Sequence, residues 1–170
     1  MSARVDERIA ILPLTADAFA PFGEVLEIAG PPDFAFNAGM AQRWAARALP
    51  EVTGEGGRVA ISLARAEPYR LPLQLDLVER HPLGSQAFMP LSAEPFLVVV
   101  AADEGGRPGR PRAFLTNGAQ GVNYRRNVWH GVLTPLDRPQ DFLIVDRTGP
   151  GDNLQEHHFA RPWLICTDDA

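Results

Sequence analysis

The order of apolar and polar positions along the chain is that of many short strands. Residues 59–65 alternate, and residues 73–81 alternate more cleanly, with Leu73, Leu75, Leu77, Glu79 and His81 on one face if the segment is extended. Residues 9–14, 24–28, 85–91, 96–102, 113–116, 127–133 and 142–147 continue the series. Turn-forming residues separate them: 82–84, Pro95, the Gly- and Pro-rich stretch 104–109, Asn117-Gly118, and 137–139. Helical patterning is scarce. Thr15 is placed to cap one short turn before Pro21, and residues 42–49 are the only other helix candidate, with Trp44 in it reading as a core anchor. About eight strands at this spacing predict an all-β antiparallel barrel or jelly roll with one or two short helices. No linker divides residues 1–170, so a single domain is expected.

Composition sharpens this reading by exclusion. The chain has 15 Gly and 16 Pro, an excess that favours turn-rich β structure. All 16 basic residues are Arg. Without Lys there is no Schiff-base lysine and no P-loop lysine, which removes pyridoxal enzymes, class I aldolases and P-loop hydrolases. The single cysteine, Cys166, offers no internal disulfide, no CxxC pair and no thiolate zinc site. A net charge of −5 gives no general attraction to nucleic acid or to an anionic membrane. The longest apolar stretch, 96–102, is far short of a membrane span, and the amino terminus shows no apolar signal-peptide core, so a cytoplasmic protein acting on a small molecule is expected.

Two segments carry candidate chemistry. Glu79 and His81 end the alternating segment 73–81; an inward face would bury a carboxylate and an imidazole, whereas a barrel mouth would leave both solvated. In the second segment, Gly121 opens a turn into a strand on which Val128, His130 and Val132 share a face. A histidine among valines is commonly a hydrogen-bonded core residue, but its pairing with the Glu79/His81 segment favours a site.

These residues also carry a resemblance. The spacing Glu79-x-His81-x4-Gln86, followed by Gly121-x8-His130, is similar to a degenerate pair of cupin motifs. In closer form, residues 79–88 and 121–130, together with 141–147, resemble the ureidoglycolate lyase family of allantoin degradation, and the similarity extends from residue 12 to about residue 153. The resemblance implies a cupin-type β-barrel, usually a homodimer, that cleaves (S)-ureidoglycolate to glyoxylate and urea. That substrate is a hemiaminal whose collapse needs a base on the hydroxyl and a proton for the departing nitrogen, chemistry suited to His and Glu. On this reading His130 is the base, and His81 or a protonated Glu79 is the acid. Arg65 and Arg126 are candidates for the substrate carboxylate, and Gln86, Ser62 and Asn37 for the urea end.

No cofactor is required by this chemistry. A ligand set of Glu79, His81, Gln86 and His130 could nevertheless take Ni, Mn or Zn, with the Gln86 amide lowering charge and affinity relative to a carboxylate. Arg125 and Gly131 depart from the family pattern, where His is more usual, which removes two acid–base groups beside His130. A non-catalytic module that binds a small carboxylate is the alternative reading.

Overall fold

The structure, a computed structural model, describes residues 7–167, so the amino terminus read above for targeting lies outside the described residues. The elements are β1 (Arg8–Pro13), α1 (Ala16–Phe19), β2 (Gly23–Leu26), β3 (Phe34–Phe36), β4 (Ala41–Arg43), β5 (Arg58–Ala66), β6 (Leu73–Arg80), β7 (Gln86–Pro90), β8 (Phe96–Ala101), β9 (Arg112–Leu115), β10 (Gly121–Tyr124), β11 (Trp129–His130), β12 (Thr134–Pro135), β13 (Gln140–Thr148) and β14 (Gln155–Cys166). Thr15 caps α1 through its side-chain oxygen, which accepts from the Ala18 amide.

Six strands close into a ring in the order β11-β6-β14-β1-β9-β8, because β11 pairs with β8 as well as with β6; β12 runs beside the far end of β8. A second sheet, β2-β10-β7-β13-β5, is antiparallel throughout. The β3–β4 hairpin stands apart.

The sequence of β8 explains how the two layers meet. Phe96, Val98 and Val100 join Phe88, Val122, Tyr124 and Phe142 of the five-stranded sheet in one apolar cluster. Leu97, Val99 and Ala101 point the other way, into the ring, where they meet Ile9, Leu75, Val78, Trp129 and Ile165. With both faces covered, the run is apolar at every position and wholly buried. This is the all-β, barrel-forming architecture that the resemblance implied.

Several expectations need correction. The barrel is not antiparallel throughout: β1 runs parallel to both β14 and β9, since long connections join it to these neighbours and no hairpin dictates its direction. Residues 42–49 are not a helix. Residues 41–43 pair with β3, the Asp33 carboxylate accepts from the Ala45 amide and from Arg47, and Ala46 takes a positive φ of 48°, which ends any helical path. Trp44 is accordingly half-buried over a groove, its Nε1 donating to the Gly30 carbonyl, and belongs to neither core cluster.

The strand expected over 127–133 shrinks to Trp129–His130, with Asn127 in a turn at φ 67°. Leu73 and Leu75 do not accompany Glu79 and His81 but pack in the ring interior, together with Val78; the alternation slips where the β6–β14 register shifts between His158 and Trp163. β14, the longest strand, was not expected, because that shift and Pro162 break its period-two pattern.

Candidate active site

The two layers face each other across two rows of polar residues. In the ring wall, strand register aligns His130 with Glu79, and Glu79 with Glu156. In the five-stranded sheet, Tyr124 aligns with Gln86, and Gln86 with Asp146. Directly paired residues project to the same side of a sheet, so each row presents its side chains together.

His130 is 1% exposed, and its ring stacks on that of Tyr124 at 4.1 Å and 6°. Its Nδ1 lies 2.9 Å from the Gly131 carbonyl oxygen, which can only accept, so Nδ1 carries the hydrogen and Nε2 keeps its lone pair. That Nε2 is buried with no hydrogen-bond partner among the described residues. Leaving such a group unsatisfied costs about 1–3 kcal/mol, which marks it as a group meant for something other than packing. Burial pushes the His130 pKa down to about 3, with the Gly131 carbonyl opposing and His81 reinforcing the shift, so the imidazole is neutral. Burial likewise pushes the Tyr124 phenol up, helped by the Glu79 charge, and it stays a neutral donor.

His81 lies beside it, ring centroids 5.2 Å apart. Its Nδ1 donates to the Asn153 carbonyl at 2.7 Å, and its Nε2 faces Gln86 Oε1 at 3.1 Å while the Gln86 amide nitrogen donates to Asp146 at 3.2 Å. In that orientation of the amide, Gln86 Oε1 is an acceptor for a hydrogen on His81 Nε2. Glu79 Oε1 stands 3.8 Å from His81 Nε2. Burial raises the Glu79 pKa; His81 opposes the shift and Glu156 adds to it. One ligand atom each from Glu79, His81 and His130 lies within 4.8 Å of the others. That spacing, with the orphaned Nε2, fits a divalent cation, and Gln86 adjoins the set as the sequence suggested.

Arg126 sits at the edge of this site, where its guanidinium donates to the Pro82 carbonyl at 3.4 Å and its amide donates to Glu51. The other three binding candidates are elsewhere. Arg65 lies on the outer side of β5 in a bidentate pair with Asp141, 2.7 and 2.9 Å, five residues along the ladder from Asp146. Ser62 is solvent-exposed on β5, paired with Ile144 instead of a site residue. Asn37 occupies the exposed β3–β4 turn at φ 54°. Period-two counting gave these residues a face but could not say which face looks inward. Of the two family departures, Arg125 is held by Glu24 at 2.8 Å, and a Cβ at Gly131 would lie 3.1 Å from Val99, so a larger side chain there would need the ring core to give way.

Tyr124, Asp146 and the Asn153 carbonyl were missed as site residues. Tyr124 and Asp146 lie within the segments that carry the family resemblance, but only cross-strand register sets them beside the histidines.

A family profile described as Ureidoglycolate lyase matches residues 6–166. A protein of Chelativorans sp. named ureidoglycolate lyase is 60% identical over 158 residues, covering 93% of this chain and 96% of its own. The protein of that name from Rhodobacter capsulatus is 55% identical over 159 residues, covering 94% and 98%. Among solved structures, a variant of Bacillus subtilis oxalate decarboxylase covers 64% of this chain and 29% of its own at 19% identity and a TM-score of 0.39, too loose a likeness to argue from. By the extent of the profile match and the identity to these relatives, the chain belongs to the ureidoglycolate lyase family.

Proposed function

We infer that this chain cleaves (S)-ureidoglycolate to glyoxylate and urea, and that residues 1–170 form a single catalytic domain that acts as a cytoplasmic homodimer. Family membership supports the reaction; the observation that carries the site is the buried, unpartnered Nε2 of His130 facing a second histidine. His130 Nε2 takes the proton of the substrate hydroxyl. The oxygen's electron pair then closes the carbonyl of glyoxylate as the carbon–nitrogen bond breaks, and the departing nitrogen takes a proton from His81 Nε2, leaving as urea. Glu79, with its raised pKa, is the second proton source. Because burial makes His130 a weak base, proton removal on this route accompanies bond cleavage instead of preceding it. The guanidinium of Arg126 supplies positive charge for the substrate carboxylate.

We also propose that Glu79, His81 and His130, with Gln86 adjoining, can hold a divalent ion such as Ni, Mn or Zn. Such an ion would supply Lewis-acid polarisation of a substrate oxygen, and holding it requires His81 Nε2 to give up the hydrogen it shares with Gln86.

The test is a product assay on metal-stripped and metal-loaded protein that separates urea from ammonia. Glyoxylate and urea in equal amounts are expected, with His130→Ala slowing turnover by roughly 10²-fold or more. No glyoxylate above the spontaneous background in either form would overturn the reading, and ammonia in place of urea would make the reaction an amide hydrolysis.

A further inference from the structure

Among the described residues, β5 is a long and regular sheet edge that no other strand covers. In the ring, β6 meets β11 only at Glu79 and β14 meets β1 only at residues 164–166, but a register shift between His158 and Trp163 and Pro162 interrupt the β14 edge, and the same shift interrupts its pairing with β6; β12 has two residues, one of them Pro135, and β2 has four. β5 has nine, pairs with β13 without a break from Arg58↔Thr148 to Ala66↔Gln140, and has no strand on its other side. That is about 30 Å of backbone with half its donors and acceptors unpaired. Edge strands are normally blunted by charged side chains, Pro, a bulge or an inward charge; β5 has no Pro and no bulge, and its charged residues, Arg58 and Arg65, stand toward its two ends. Its middle is apolar instead, with Ile61 and Leu63 each 73% exposed and Val59 51% exposed. The apolar surface continues across the sheet through the rows Leu63–Leu143–Met89 and Ile61–Val145–Ala87.

We propose that two copies of this chain join along β5, antiparallel about a two-fold axis through Ser62, so that their five-stranded sheets become one continuous sheet. The inference rests on the homodimer reading above and assigns its interface. Ser62 is the middle residue of the strand, so this register pairs all nine positions. It sets Ile61 against the partner's Leu63 and Ala60 against the partner's Ala64, apolar with apolar and small with small.

Charge favours the same arrangement. The Arg58 guanidinium has no hydrogen bond or ion pair among the described residues, and it falls opposite the partner's Ala66, next to the partner's Glu67. Glu67 feels Arg65 only through its charge, since both oxygens of Asp141 already hold that guanidinium, and its carboxylate makes no hydrogen bond among the described residues. A parallel pairing would bring Arg58 against its own copy. Ala60 also pairs with Asp146, so the junction lies one strand from the polar row of the site.

The full-length protein is followed by sedimentation equilibrium, with circular dichroism to confirm folding. The wild type is expected to be a dimer. Ile61→Lys with Leu63→Lys, which sets Lys directly against Lys across the junction, is expected to raise the dimer dissociation constant about 100-fold or more. Ile61→Lys with Leu63→Glu, which sets opposite charges together, is expected to recover most of it. Ser62→Cys is expected to form an intermolecular disulfide under mild oxidation, since facing residues of an antiparallel pair lie within disulfide reach. A wild type that stays monomeric overturns both the dimer and this interface. A wild-type dimer that both charged variants leave intact, with no Ser62→Cys cross-link, overturns the interface alone and leaves the dimer and the proposed reaction standing.

Discussion

His130 shows how one residue is shaped by what surrounds it. Its Nδ1 is committed to the Gly131 carbonyl, its ring face to Tyr124, and its Nε2 to nothing among the described residues. Because its folded-state pKa is about 3, below the ~6.5 of an unfolded histidine, the unfolded chain takes up the proton first. The stability that His130 contributes is therefore complete above about pH 6.5 and is lost as the pH falls toward 3. Glu79 acts with the opposite sign: its raised carboxyl keeps a proton that the unfolded chain has already released, so that contribution is lost as the pH rises through the folded value. Urea melts of wild type and His130→Gln between pH 4 and pH 7, in the presence of a chelator, separate the two. The wild type should lose stability on the acid side more steeply, by up to about 1.4 kcal/mol per pH unit. Equal slopes would mean that His130 is not held neutral.

At the scale of elements, the site is a matter of two strands from different sheets brought face to face. His81 follows β6 and Gln86 opens β7; the chain between them turns through Pro82 and Gly84, and the amide of Leu83 donates to the Asn153 side chain at 2.7 Å. Asp146, one strand further, does not touch His81; it holds the Gln86 amide whose oxygen faces the imidazole. It is a positioning residue. Asp146→Leu should free the Gln86 amide, lower kcat by about 10-fold and shift the alkaline limb of the pH–rate profile, where the proton donor is lost, because a hydrogen bond to a group poised for proton transfer sets its protonation. Asp146→Asn keeps an acceptor and should restore most of the rate. A merely structural role would lower the melting point in both variants and leave the pH profile where it was.

Over the whole molecule, two apolar clusters share β8. Phe96, Val98 and Val100 face the five-stranded sheet while Leu97, Val99 and Ala101 face the ring interior. A change on either face loosens the same backbone, so the clusters should melt together. Val98→Ala and Val99→Ala, which cut into different clusters, should each cost about 2 kcal/mol and should each lower one common midpoint, whether unfolding is followed by Trp fluorescence or by far-ultraviolet dichroism. Two separable transitions would show that the ring and the sheet fold as independent units.

The sequence by itself determined the chemistry available: no lysine, one cysteine, and a set of histidines, carboxylates and arginines among Gly- and Pro-punctuated strands. The motif spacing that carries the family resemblance also pointed to the pairing of Glu79 and His81 with His130, although the alternation around both segments did not hold. Tertiary structure alone decided which face looks inward. Alternation assigned Arg65 and Ser62 to opposite faces of one strand, yet neither reaches the site, because β5 ends a sheet instead of lining the cavity. The parallel course of β1 and the long strand β14 were likewise invisible, since their partners lie far away in sequence and a register shift erased the local period. Tyr124 and Asp146 became site residues only through cross-strand register, a property of which strands meet and not of either strand alone.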